Sequence, residues 1–139
     1  MNSIPRVHRG LGFLFLGLAV LQFFLAGLGV FGDGLGSSDY DAHTIVGSLL
    51  MLLALILLIL AAIGRREALA TSGVLLVLMI IQSVLANIGN DASVVAALHP
   101  LNGLLILGVA GLTARGMPLP VGGHGHRASD RSTGTGSER

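Results

Sequence analysis

Cysteine is absent from the 139-residue chain. That excludes disulfides, iron–sulfur clusters and thiolate metal sites. With no thiol to protect, the absence carries no information on compartment. Lysine is absent too, so all eight basic residues are arginine. Together with 21 glycines this reads as a base-composition bias of the gene. Charge is scarce: 11% of residues are Asp, Glu, Lys or Arg, against roughly 25% in a soluble domain. A net charge of +1 argues against nucleic-acid binding, which needs a basic surface.

Apolar residues make up 53% of the chain. The segments Leu11–Phe31, Ile45–Ile63, Leu69–Ile88 and Val94–Leu112 contain no Asp, Glu, Lys or Arg. Each is close to the ~20 residues that cross the hydrocarbon core. In lipid each must satisfy its own backbone hydrogen bonds, so each is a helix. Nothing is left over for a separate water-soluble core. The expected fold is all-α, a four-helix transmembrane bundle over residues 1–116, with helices at about 7–31, 40–64, 67–89 and 93–114. Residues 117–139 are polar and rich in Gly, Ser and Thr, and are expected to form a disordered cytoplasmic tail. His124 and His126 fall in that tail and read as solvated side chains.

Arg6 and Arg9 ahead of an apolar run imitate a secretory signal. The run is too long for a typical h-region, the Ala26–Gly34 region is a poor cleavage site, and the repeat described below requires the first helix. All the arginines lie at one set of helix ends: Arg6 and Arg9 before helix 1, Arg65 and Arg66 between helices 2 and 3, Arg115 after helix 4, and Arg127, Arg131 and Arg139 in the tail. The opposite loops hold Asp33, Asp39, Asp41 and Asp91. The positive-inside rule then places both termini and the 2–3 connection on the cytoplasmic side of a bacterial inner membrane. That connection is short, so helices 2 and 3 are antiparallel neighbours.

The two halves of the chain repeat. Helix 1 carries Gln22-Phe-Phe-Leu25-Ala26-Gly-Leu28-Gly29, and helix 3 carries Gln82-Ser-Val-Leu85-Ala86-Asn-Ile88-Gly89. Helix 2 opens His43-Thr-Ile-Val-Gly47, and helix 4 opens His99-Pro-Leu-Asn-Gly103. Gln occurs nowhere else, and the other three histidines lie outside the expected spans. One Gln and one His per half, in the same order, define two tandem helical hairpins related by a parallel repeat. Helices 2 and 4 then run in the same direction, and His43 and His99 sit at similar depth. Positions i, i+4, i+7 and i+11 share a helix face. His43 therefore lines up with Gly47, Leu50 and Ala54, and His99 with Gly103, Ile106 and Ala110.

Two facing imidazoles suit the axial positions of a haem iron. A glycine one turn below each histidine clears room for a flat ring, and apolar side chains beyond keep it dry. Bundles commonly hold cofactors on inward-facing side chains of this kind. Gln22 and Gln82 would line the cavity on either side of the ring. The candidate site is thus His43 and His99 as iron ligands, with Gly47, Gly103, Gln22 and Gln82 around a haem b.

At these residues the chain resembles one four-helix half of haem A synthase and, more loosely, other bis-histidine membrane cytochromes b. Gln82–Gly103 carries the likeness most closely. The chain also resembles a family of small four-span bacterial membrane proteins with no assigned activity. The resemblance covers roughly Val7–Arg115 and implies that His43 and His99 ligate haem iron. Haem A synthase joins two such halves and has an acidic residue in its catalytic half. This chain has one half and no Asp or Glu inside any span, since Glu67 and Glu138 lie outside. No enzyme activity is carried over, and a redox role would be electron transfer to or from an unidentified partner. Haem propionates favour Arg or Lys partners, which the histidine end lacks. Asn87, Asn90 and Ser93 offer neutral donors there.

Two other readings stay open. A metal or quinone site would use His43 and His99 with Asp41 and Asp91. A non-catalytic assembly subunit would leave the histidines incidental. His43 taken alone suits a helix start near the headgroups, with Asp39 or Asp41 as cap. His99 lies more than one turn into the membrane, where polar residues are functional candidates by default. Pro100 is either a first-turn proline or a kink. Gln22, Gln82 and the Gly/Ala faces each suit close helix packing. His8 has no counterpart in helix 3, which argues against a second paired-histidine site. No feature sets an oligomeric state.

Overall fold

The computed structural model describes residues 3–31, 38–88 and 93–119. Four helices account for almost all of them: α1 Ile4–Phe31, α2 Ser38–Gly64, α3 Leu69–Ile88 and α4 Ser93–Arg115. A single 3-10 turn, Arg66–Ala68, joins α2 to α3. All four helices are long and apolar enough to cross a membrane. Large apolar side chains such as Phe24, Ile45, Ile63, Val77 and Leu104 are exposed around the bundle. Such a surface is at home in lipid, and the chain is a multi-pass helical membrane protein.

The boundaries lie within three residues of the sequence expectation, and three of them coincide with it. α1 starts at Ile4 because Pro5 falls in the first turn, where a missing N–H costs nothing. His8, expected beside Arg9 at the inner end of helix 1, is buried within the bundle. α2 starts at Ser38, so Asp39 and Asp41 fall in its first turn and not ahead of it. Acidic residues suit that end of a helix dipole. Pro100 is the eighth residue of α4, well past the first turn. It leaves the carbonyl four residues back without its helical donor. Asp33, Gly89, Asn90, Asp91, His124 and His126 lie outside the described residues.

The helices form a ring. α1 packs on α2 and α4, and α3 packs on the same two, so α2 faces α4 across one diagonal and α1 faces α3 across the other. This is the arrangement that two tandem hairpins with a short middle connection impose.

Packing is tightest at the arginine-bearing end. A Cβ at Gly12 would lie 2.9 Å from Ala114 Cα, so α1 and α4 touch backbone to backbone there. Phe15, Leu57, Leu75, Ala61 and Ala114 are fully buried in the same half. So is His8, at 0% exposure. Its Nε2 lies 3.1 Å from Ser72 Oγ, and Arg65 Nη1 lies 3.4 Å from its Nδ1. A guanidinium only donates, so Nδ1 accepts and Nε2–H donates to Ser72. Arg65 also pairs with Glu67 at 3.0 Å. α4 ends in a Schellman motif: Gly116 takes φ +69°, its N–H bonds Thr113 O at 3.2 Å, and Met117 N–H bonds Leu112 O at 2.9 Å.

Candidate functional site

At the other end the helices enclose a cavity of about 470 Å³. All six residues singled out in the sequence line it: His43, Gly47, His99, Gly103, Gln22 and Gln82. His43 and His99 are each the third residue of an apolar span, Asp41–Gly64 and Ala97–Arg115, so the repeat sets them at one depth. Their rings face across the α2–α4 diagonal with centroids 6.2 Å apart and planes inclined by 50°.

The two glutamines are held by different partners. Gln22 Nε2 donates to the His43 carbonyl at 3.0 Å, which fixes the α1–α2 register one turn from the imidazole. Gln82 Oε1 accepts from Asn102 Nδ2 at 2.7 Å. Asn102 Nδ2 also donates to the Leu78 carbonyl at 2.9 Å. Backbone carbonyls accept and never donate, so they decide both amide orientations. Gln22 is left with its oxygen towards the site, and Gln82 with its NH2 group.

Asn102 is 6% exposed and was not singled out in the sequence. Its counterpart in the first half is Val46. The only signal for it was a second polar side chain one turn below His99.

The glycines allow close approach from α1. A Cβ at Gly47 would come within 3.0 Å of Gln22 Nε2, and one at Gly103 within 3.1 Å of Phe23 Cζ. Apolar walls come from Ala19, Ala26, Leu50, Met79 and Ile106.

Three buried side-chain atoms lack a hydrogen-bond partner among the described residues: His43 Nδ1, His99 Nδ1 and Gln22 Oε1. All three belong to this cavity. Each unsatisfied buried polar atom costs about 1–3 kcal/mol, and such atoms call for an explanation. At the arginine end the buried imidazole of His8 has a partner on each nitrogen. The contrast marks the histidine end as the site.

Among the described residues no three His, Asp or Glu side chains gather as a metal site. Asp41 is exposed and does not line the cavity. The imidazoles are thus the donor set that the described part of the site offers a metal.

Fold and site together define a four-helix membrane bundle built on a repeat, with one paired-histidine cavity. Residues 22–89, just under half of the chain, match a family of unknown function, DUF6220. The matched stretch takes in both glutamines and His43 and stops short of His99. No curated protein and no solved structure matches the chain.

Proposed function

We propose that the chain binds a haem, haem b by type, whose iron is ligated axially by His43 and His99, and that it serves electron transfer. The separation of the two rings supports this reading. With metal–imidazole bonds of about 2.0–2.1 Å, a metal ion would fit between two imidazoles so spaced. The 6.2 Å between centroids leaves room for both imidazoles to hold one metal ion between them. The cavity is far larger than a bare ion requires and lies within the range of organic ligand sites, about 300–1,000 Å³.

Bound there, the group would supply a one-electron ferric/ferrous couple. The chain's own residues hold and insulate it. His43 and His99 bind from facing helices. Gln22 and Asn102, bonded to the carbonyls of His43 and Leu78, fix the registers on which that separation depends. The alanine, leucine and isoleucine walls exclude water. The arginine distribution supports an orientation with both termini cytoplasmic, which puts the cavity in the outer half of the membrane.

The test is an optical spectrum of the protein in mild detergent, oxidised and after dithionite, beside His43→Ala and His99→Ala. The expected result is a sharp, split reduced α/β pattern that is lost in both variants. Wild-type protein that stays colourless after expression with added haem would refute the proposal.

A further inference from the structure

The repeat that sets the two histidines face to face is broken at Asn102, whose counterpart is Val46, and again in the gaps beside the cavity. Thr44 and Ser48 of α2 and Ser83 and Asn87 of α3 line the cavity and are exposed. Thr44 lies two heptads from Leu58, which packs on Gly73 of α3, and Asn87 lies two heptads from Gly73. Residues seven apart share a helix side. All four polar side chains therefore border the gap between α2 and α3.

The register that pairs Gln22 with Gln82 and His43 with His99 gives their counterparts as Phe23, Gly27, Pro100 and Leu104. These border the gap between α4 and α1, where Phe23 closes on Gly103. One gap is polar at every position at which the other is apolar or bare. Helix packing alone gives no reason for that difference, because both gaps face lipid. Polar side chains in such a place are functional candidates by default.

We infer, resting on the haem reading above, that the carboxylate-bearing edge of the haem faces the α2–α3 gap. The hydroxyls of Thr44 and Ser83 and an amide N–H of Asn87 are its hydrogen-bond donors. Asn87 Nδ2 spends one N–H on the Ser83 carbonyl at 2.7 Å and keeps its second. Ser48 Oγ donates to the Thr44 carbonyl at 2.9 Å and is the less available donor. The α1–α4 gap, with Phe23 and Pro100, takes the methyl- and vinyl-bearing edge. A charge lies near the polar side at Asp41, exposed and seven residues before Ser48. It opposes a carboxylate, so binding relies on neutral donors against a weak repulsion.

The test compares haem with its dimethyl ester, which keeps the ring and iron and loses both charges. Binding of each is titrated optically to the wild-type protein, to Asp41→Asn, and to a triple variant, Thr44→Val with Ser83→Ala and Asn87→Leu. Wild type is expected to prefer haem to the ester by about tenfold or more, the scale of one charge-assisted hydrogen bond. The triple variant is expected to lose that preference while binding the ester within about threefold of wild type, which also shows that it is folded. Asp41→Asn is expected to tighten haem and leave the ester unchanged. Equal wild-type affinity for haem and ester, with a split reduced spectrum, would overturn this inference and leave the haem reading standing. So would a triple variant that keeps the wild-type preference. Failure of the wild type to bind either compound would overturn both.

Discussion

Replacing Gly12 by alanine tests the scaffold independently of any ligand. The new Cβ would lie 2.9 Å from Ala114 Cα and 3.2 Å from Ala114 N. Ordinary contact begins near 3.4 Å, so α1 and α4 must separate by roughly half an ångström or shear past one another. The obstacle is backbone, with no flexible side-chain tip to move aside. Overpacking of this kind costs about 1–3 kcal/mol. Alanine's better helix propensity returns up to about 1 kcal/mol. The net expectation is a loss of about 1–2 kcal/mol. Gly10 and Gly17 lie on the same helix with nothing within 4 Å of an added Cβ. Gly10→Ala and Gly17→Ala should be neutral or slightly stabilising, which makes them controls for propensity.

Thermal or SDS-induced unfolding in one detergent, followed by circular dichroism, reads the difference. A further arm uses the neighbour. Ala114→Gly removes a methyl that would be 3.5 Å away, the third-nearest atom, and leaves the clash with Cα. The double variant Gly12→Ala with Ala114→Gly should therefore stay destabilised. A Gly12→Ala protein as stable as Gly17→Ala, or full rescue by Ala114→Gly, would refute the claim that backbone contact sets the α1–α4 spacing.

Asn102→Leu removes two hydrogen bonds and leaves Gln82 Oε1 without its donor, so it should lower stability by about 1–3 kcal/mol; in the haem reading the titration of haem weakens as well. Ser72→Ala should destabilise by about 1–3 kcal/mol because it leaves His8 Nε2 buried without its acceptor, and His8→Ala by more, since a cavity opens too. Both leave the histidine-end cavity untouched, so any cofactor spectrum should survive in the folded fraction. Gly116→Ala forces a Cβ into the left-handed region at φ +69°, at a cost of about 1–2 kcal/mol, and the added atom meets the Arg65 guanidinium as well. A Gly116→Ala protein as stable as wild type in the same unfolding assay would contradict that reading of the α4 cap.

The spans and the histidine pair were legible because polar residues are conspicuous against an apolar background. Two glutamines and two histidines recurring in order identify a cavity that the structure assembles from all four helices. Other features stayed hidden for definable reasons. Asn102 and Ser83 replace Val46 and Phe23, and a search for repetition discards positions at which the halves differ. Those differences orient Gln82 and make one gap polar. His8 was legible only as a histidine at the inner end of helix 1, beside Arg9 and without a counterpart in helix 3. Its partners Ser72 and Arg65 are far away in sequence, and only the ring order of the helices brings them to it. The glycine faces suggested close packing, but nothing in the sequence separates Gly12, jammed against Ala114, from Gly17, which faces open space.

The division of the bundle into a packed end and an open end explains how the paired-histidine cavity holds its geometry. Between helices in lipid the hydrophobic effect supplies no attraction, so association rests on close packing and hydrogen bonds. Both are concentrated where Gly12 meets Ala114 and where His8 joins Ser72 and Arg65. That end clamps α1 to α4 and α1 to α3 without help from the cavity. Gln22 and Asn102 then set register at the far end through backbone carbonyls, which do not move with a ligand. The imidazole separation is thereby fixed by groups that are not themselves ligands. A site prepared in this way binds without first ordering its walls, which is where binding energy is otherwise lost. His43 Nδ1, His99 Nδ1 and Gln22 Oε1, without partners among the described residues, are tolerated because the other end carries the stability.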